Sequence, residues 1–501
     1  LQNWKAGRKQ LAFDPVFLYD GFIIMLYGFF VKIIHFYSPN LINIFYFSTA
    51  IKTHTMKRIL VLGAGLSAST MIKYFLDHAQ EYDWFVEVGD RDQALADQKV
   101  AGHPRSSTFA FDICNQSVLT EKIDASAVVV SFLPARFHPV VAGMCVVQKT
   151  PMVTASYVSK EMRALDAAAK EAGIAMLNEL GVDPGIDHMS AMRVIDRIRE
   201  QGGKIEGFYS STGGLLAPES DNNPWNYKFT WNPRNVVLAG QGTAKFIRNG
   251  KYKYIPYTKL FDRLMATSVP GVGDFEIYPN RDSLSYRQTY NLCDIPTMFR
   301  GTMRRPGFCE AWNVFVQLGM TDDTYWVENA DKMTWRQFTN MFLRYDPEAT
   351  VEEKLAKYLA LEPEGNIMKK LKWLGIFDEK ALGVTEATPA QILQHLLEEK
   401  WKFGQHDKDM IVMQHRFIYS RKGKKKEIVS SMVVIGNDHT HTAMAITVGS
   451  PVAIATKLLL NGTIKVTGVH VPVVKELYSP ILDELEPLGI RFIEEERDYL
   501  G

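Results

Sequence analysis

One stretch restricts the folds open to this chain more than any other. Residues 57–69 read Lys-Arg-Ile-Leu-Val-Leu-Gly-Ala-Gly-Leu-Ser-Ala-Ser. An apolar, β-branched run enters a glycine turn and a helical pattern leaves it, the strand–turn–helix context of a dinucleotide fingerprint. Gly63 permits the tight turn, and Gly65 has no Cβ to keep a pyrophosphate off the backbone. Ala68 takes the third small position, where the helix packs close on the strand. Phosphates would then meet the free N–H groups and the positive end of the new helix. A second apolar run, 84–89, ends in Asp90, about the expected distance on for the acid that binds a ribose. The competing reading is an ordinary glycine turn in an α/β protein.

From Met56 onward, strand and helix patterns alternate. Strands are expected at 57–62, 84–89, 108–113, 127–133, 152–155 and 174–180, and helices at 67–79, 139–149 and 160–172. The run Ala-Val-Val-Val-Ser-Phe-Leu at 127–133 is almost wholly apolar, as a parallel strand covered on both faces requires. This is an α/β doubly wound domain over 56–185, with ligands expected at the carboxyl ends of its strands. Those ends carry Asp90, Asp112, Leu133, Ser156-Tyr157 and Asp183.

After Asp187-His188 the pattern changes. A helix is expected at 189–201 and a strand at 205–210, followed by polar loops or short strands around 278–283 and 299–305. A hairpin, 410–420 with 427–436, crosses a basic run at 421–426 that reads as a solvated tip. We assign 186–309, 406–442 and 461–501 to a second α/β domain with a mixed or antiparallel sheet. Residues 310–405 form a mostly helical third domain, and a helix at about 443–460 returns to the first.

Residues 1–55 differ in character from the rest of the chain. Their apolar run at 21–31 is broken by Lys32 and falls short of the ~18 residues of a spanning helix. The favoured reading is an extension upstream of a native start at Met56; a membrane anchor or uncleaved signal is the alternative. Acids and bases nearly cancel, 56 against 57, so no global field points to nucleic acid or an anionic membrane. The four cysteines form no C-x-x-C pair and no zinc spacing, and read as buried thiols of a reducing cytoplasm. No metal is expected.

Arginine forks clamp carboxylates through two oxygens at once. Arg281, Arg300, Arg304 and Arg305 crowd into two short stretches, which suggests a polyanionic small substrate; surface salt bridging is the bland alternative. Asp183, between Gly181 and Pro184-Gly185, is an acid/base group or a loop-forming carboxylate. Tyr157 offers a hydroxyl at a strand end, or is a core tyrosine. His138, His188, His439 and His441 show no metal spacing.

Longer motifs carry a resemblance. They are Thr-Ala-Ser-Tyr-Val-Ser at 154–159, Asn-Glu-Leu-Gly-Val-Asp-Pro-Gly-Ile-Asp-His at 178–188 and Gly-Gly-Leu-Leu-Ala-Pro-Glu at 213–219. Tyr-Lys-Phe-Thr-Trp at 227–231, Tyr-Pro-Asn-Arg-Asp-Ser at 278–283, Arg-Gly-Thr-Met-Arg at 300–304 and the run 448–457 come next in order. From Met56 nearly to its end, the chain resembles saccharopine reductase, also called saccharopine dehydrogenase (L-glutamate-forming). The resemblance implies a Rossmann-type domain, a second α/β domain and a helical domain. It implies an oxidoreductase of lysine metabolism, in which 2-aminoadipate 6-semialdehyde and glutamate join through an imine that NADPH reduces to saccharopine. Cofactor contacts would fall on Ala64, Gly65, Leu66, Ser67, Asp90, Arg91, Asp112, Ile113, Leu133, Ala155, Ser156, Val182, Asp183 and Pro184. Saccharopine contacts would fall on Ser156, Tyr157, Asp183, Arg281, Thr302, Met303 and Arg304. Tyr157 and Asp183 are the expected catalytic groups, orienting the amine or handling its proton.

Three departures from the family pattern stand out. Ala135 replaces an aromatic beside the cofactor strand, and Thr212 replaces a cysteine before the Gly-Gly pair. Asp90-Arg91 stands where a cysteine and an arginine suited to a 2′-phosphate are usual; a carboxylate there favours a free 2′-OH, so NAD is expected to serve at least as well as NADP. A related dehydrogenase acting on another imine, such as one from a carboxylated polyamine, and a non-catalytic NAD-binding regulator are the competing functions. A cytoplasmic protein and a homodimer are the remaining expectations.

Overall fold

Strand residues 59–62 alternate between two cores. Ile59 and Val61 pack on one side of the first sheet, Leu60 and Leu62 on the other. All four are fully buried, as a parallel strand with helices on both faces demands. The computed structural model describes residues 56–239 and 241–500; the extension, anchor and signal readings of 1–55 lie outside them.

The strands, in chain order, are β1 (Lys57–Leu62), β2 (Trp84–Asp90), β3 (Ser106–Ala110), β4 (Val128–Ser131), β5 (Met152–Val153), β6 (Ala175–Leu177), β7 (Lys204–Leu216) and β8 (Ala244–Arg248). They continue with β9 (Lys251–Ile255), β10 (Met265–Val269), β11 (Gly273–Pro279), β12 (Thr297–Arg304), β13 (Asp409–Arg421), β14 (Lys424–Ile435), β15 (Gly468–His470) and β16 (Ile493–Asp498). Among the described residues the first sheet has seven strands in the order β15-β6-β5-β4-β1-β2-β3. Every pairing in it is parallel. Apart from β15, this is the Rossmann order, with its reversal of direction beside β1.

The second sheet runs β10-β11-β12-β7-β13-β14-β16, with the β8–β9 hairpin attached to β12. It is mixed: among the described residues β12 lies parallel to β7, and the other strand pairs are antiparallel. Its strands also alternate between cores. Ile411 and Met413 face the first sheet's helices, while Met410 and Val412 face the helical region. Layers therefore alternate helix, sheet, helix, sheet, helix.

Several expectations are corrected. The tail at 461–501, assigned to the second α/β domain, divides: β15 joins the parallel sheet and β16 the mixed one. It also holds a helix, Lys475–Leu485, that packs on Ile186–Glu200. The helical region has no core of its own. Leu355, Leu371 and Leu393 share one apolar cluster with sheet residues Leu215, Phe299 and Met410. The helix expected at 160–172 is two, Lys160–Ala164 and Asp166–Ala172. Cys114 and Cys293 are exposed rather than buried. The basic run at 421–426 is the exposed hairpin tip expected, though the turn itself narrows to Lys422-Gly423, with Arg421 paired opposite Lys424.

Helix Ala443–Leu460 is long and apolar enough to cross a membrane, but 67% of it is buried. It packs on the first helix, Ser69–Asp77, and touches β4, β5, β13 and β14. Its apolar character thus serves both sheets at once, and it brings Val448 to the mouth of the glycine turn.

Candidate functional site

The glycine turn is held by its own sheet. Gly63 has φ +103°, and a Cβ there would stand 2.9 Å from the Phe132 carbonyl oxygen, so only glycine fits. The Ala64 N–H donates to Asp90 at 2.7 Å, and the other carboxylate oxygen of Asp90 accepts the Asp92 N–H at 2.9 Å. A helical turn, Leu66–Ala68, comes next, and its first N–H groups are left over by the helix. A Cβ at Gly65 would meet nothing within 4 Å. Open space thus stands over unused donors, which fits a pyrophosphate.

A cavity of about 270 Å³ opens here. It brings together Gly65, Leu66, Ser67, Leu133, Ala155 and Ser156, all expected from the sequence, with Phe132, Thr154 and Val448. The Ser156 hydroxyl lies 2.8 Å from His138 Nε2, and Ser131 lies 3.0 Å from Nδ1 of the same ring. Burial lowers the His138 pKa to about 4, so the ring is neutral at physiological pH.

A second cavity, of about 450 Å³, adjoins the first through Ser67, Ala155 and Val448. On the side of the parallel sheet it is lined by Tyr157, Val182, Asp183 and Pro184, and on the side of the mixed sheet by Arg281, Thr302 and Arg304. Trp231, Asn235, Tyr278, Thr212 and Met444 complete the wall.

Arg304 is 5% exposed, and its guanidinium lies over the rings of Tyr227, Tyr278 and Phe308 at 5.2, 5.8 and 5.3 Å. Nη1 donates to the Met303 carbonyl at 3.0 Å, while buried Nε has no partner among the described residues. The buried Thr212 hydroxyl is likewise unpartnered. Glu276, opposite Arg304 on β11, accepts the Gly307 and Cys309 N–H groups and makes no ion pair with it, and a dry guanidinium in no ion pair is costly unless an anion completes it. Arg281, by contrast, is exposed at the rim.

Tyr157 is 43% exposed and its hydroxyl donates to Asp183 Oδ1 at 3.3 Å. Asp183 also receives Arg300, which reaches Asp187 at 3.1 Å. Burial pushes the Asp183 carboxyl above its ordinary range; Arg300 opposes and Asp187 adds to the push. Burial and then Asp183 raise the Tyr157 phenol too, so it stays protonated at neutral pH.

Some expected residues lie apart. Asp90, Arg91, Asp112 and Ile113 line neither cavity and sit at or just past the carboxyl ends of β2 and β3. Asp112 is exposed, and its side chain accepts the Cys114 N–H at 2.9 Å. The Met303 side chain is fully buried in the core on the far side of β12, so only its backbone is near the cleft. Arg305 turns away as well, donating to the Val272 carbonyl at 2.6 Å.

Two family models match consecutive parts of the chain. One, described as the saccharopine dehydrogenase NADP binding domain, covers residues 59–177; the other, the saccharopine dehydrogenase C-terminal domain, covers 181–490. The chain belongs to the saccharopine dehydrogenase family. A saccharopine dehydrogenase (NADP(+), L-glutamate-forming) of Schizosaccharomyces pombe is 34% identical over 450 residues, 88% of this chain and 99% of its own. The mitochondrial alpha-aminoadipic semialdehyde synthase of Mus musculus is 33% identical over 446 residues, 87% of this chain but 48% of its own. Among solved structures, an apo saccharopine dehydrogenase (L-Glu forming) from Saccharomyces cerevisiae superposes with a TM-score of 0.80 at 32% identity, over 88% of this chain and 100% of that one.

Sequence reasoning passes over Asn235 and Met444, whose residue types are ordinary loop and helix types, and leaves His138 without a role. Trp231 and Tyr278 stand in the motifs at 227–231 and 278–283 that carry the family resemblance, which signals a site there without giving either residue a role, and Arg300 is expected as a substrate clamp rather than as a partner of Asp183.

Proposed function

We propose that the chain interconverts saccharopine with L-glutamate and 2-aminoadipate 6-semialdehyde, with NADP as its cofactor. One observation carries the reading: the unpaired, buried Arg304 guanidinium shares a cavity with the Tyr157–Asp183 pair and with Ser67 of the glycine turn. A tricarboxylate amine has the charge that Arg304 lacks, and Arg281 at the rim can take a further carboxylate. The bound nicotinamide supplies a hydride acceptor or donor for the carbon next to the amine nitrogen. The chain does the rest. Arg304, Arg281 and Thr302 fix the acid groups so that this carbon lies against the cofactor cavity. Asp183, with Tyr157 beside it, takes the amine proton, returns it to the imine nitrogen, and is then free to take a proton from the water that adds to the C=N carbon.

On cofactor choice, Asp90 commits both carboxylate oxygens to backbone N–H groups, which ties it to the turn rather than to a ribose. Arg91 stands exposed next in the chain, where it can meet a 2′-phosphate. The test is nicotinamide absorbance with saccharopine, comparing kcat/KM for NADP and NAD in wild type and Arg91→Ala. NADP is expected to be preferred, and Arg91→Ala to lose about tenfold with NADP alone, a charge-assisted contact in water being worth little more. A strong NAD preference would return Asp90 to the ribose.

The unpartnered Thr212 hydroxyl supports one further reading, a dehydrogenase for a different carboxylated amine. Turnover with a panel of amines but not with saccharopine would favour it.

A further inference from the structure

Behind Asp183 lies a group of buried charges outside the cleft. Arg300 is 4% exposed and lines neither cavity. Its Nη2 donates to Asp183 Oδ1 and, at 3.1 Å, to Asp187 Oδ2. Asp187 is fixed in turn by the Gly185 N–H, at 2.6 Å from its other oxygen. The guanidinium lies 3.9 Å from the centroid of the Tyr286 ring. The His188 imidazole stacks on that same ring at 5.3 Å and 18°. His188 is itself held at both nitrogens, by Glu179 at 2.7 Å and the Tyr290 hydroxyl at 2.9 Å.

The decisive detail is which oxygen is used. Tyr157 and Arg300 both donate to Oδ1 of Asp183. Oδ2 has no partner among the described residues. We infer that Arg300 is the positioning residue of this site: by taking Oδ1 together with Tyr157, it presents Oδ2 to the cleft as the atom that exchanges the proton. A lysine could donate to both carboxylates from its one nitrogen, as Nη2 does here, but it lacks the planar face that lies on the Tyr286 ring and holds that nitrogen in place. The inference rests on the proposed saccharopine reaction and names the device behind its acid/base group.

The groups facing Asp183 set the signs of a pH test. Arg300 from β12 favours the ionised form. Asp187 opposes it, and His188 on the same helix as Asp187 favours it. Tyr157, Tyr286 and Tyr290 face it as neutral phenols, and His415 from β13 as a neutral imidazole. Removing Arg300 therefore raises the proton affinity of Asp183, and neutralising Asp187 lowers it.

The experiment is the pH profile of kcat/KM for saccharopine oxidation in wild type, Arg300→Met, Arg300→Lys and Asp187→Asn. Asparagine keeps the acceptor for the Gly185 N–H, so that variant is built to fold; thermal unfolding and NADP binding check each protein. We expect the low-pH limb to move up by about 1–3 units in Arg300→Met, less in Arg300→Lys, and down in Asp187→Asn. We expect kcat near neutrality to fall at least tenfold in Arg300→Met while KM for saccharopine stays within about threefold. If Arg300→Met does not fold, the downward shift in Asp187→Asn decides. Unmoved limbs in an active wild-type background, or a loss confined to KM, would overturn the role of Arg300. A wild type that does not turn over saccharopine would overturn the proposed function instead.

Discussion

The two walls of the cleft are made differently. The nucleotide wall is backbone: a glycine at φ +103°, unused N–H groups, and a carboxylate that clamps the turn from the next strand. The opposite wall is side-chain charge: Arg304, in no ion pair among the described residues, and Arg281 at the rim, while Arg300 lies behind the cleft and is shared between two aspartates. A backbone site tolerates many side chains and depends on a few small residues. A side-chain site depends on burial, because a guanidinium in water is worth little and one kept dry is worth a great deal. The difference also separates their failures. Damage to the first wall should appear in folding and cofactor binding, damage to the second in substrate binding and turnover.

The sharpest way to break that comparison is Asp183→Asn. Asp183 stands on the parallel-sheet side yet belongs to the proposed chemistry rather than to the turn; asparagine keeps its shape and removes the base, so kcat for saccharopine oxidation should fall by about 10²–10⁴ while NADP affinity is unchanged. A variant that lost cofactor binding instead would join the two walls into one. Arg304→Met comes next. Saccharopine binding should weaken by about 2–5 kcal/mol, read from KM or calorimetry, because Arg304 rather than the exposed Arg281 is the dry fork. Its Tm should hold or rise, since no ion pair is broken and Glu276 opposite keeps its two backbone N–H donors. Gly63→Val tests the first wall: the strained φ and the contact with Phe132 should cost about 1–3 kcal/mol of stability and weaken NADP binding measurably by fluorescence titration.

The smallest effect sharpens the comparison through pH. Each domain contains a buried neutral histidine away from the cleft surface, His138 behind Ser156 with pKa lowered to about 4 and His415 on β13 lowered to about 3, both by burial. Unfolded, both would titrate near ~6.5. Between those values the unfolded chain binds more protons, so stability is full above about pH 6.5 and falls as the pH drops. Each should contribute a slope of about 1.4 kcal/mol per pH unit there, measured by denaturant titration. His415→Phe should flatten the slope by about half, if its pocket accepts the ring.

Particular residues show how far the sequence could be read. The run 57–62 is a strand as expected, because an apolar run ending in a glycine turn has few other solutions. The helix at 160–172 is legible as helix but not as two, since its break at Leu165 involves neither glycine nor proline. Met303 falls in the expected site with Thr302 and Arg304, yet strand alternation sends its side chain to the other face. The tail at 461–501 reads as one unit because no local signal marks which of two sheets a short strand will join. Four arginines crowded in two stretches suggest an acidic ligand, but the sequence cannot sort them. Arg304 lines the cavity, Arg281 stands at its rim, Arg300 lies behind it and Arg305 faces away.

What the sequence by itself determined is the glycine turn, the alternation that makes a parallel sheet, and the family motifs, all of which depend on neighbours a few residues apart. Tertiary structure alone decided which guanidinium is dry, which oxygen of Asp183 is taken, and that one apolar helix serves two sheets. Those depend on burial and on contacts between segments far apart in the chain, such as Asp183 with Arg300, and no local pattern encodes them.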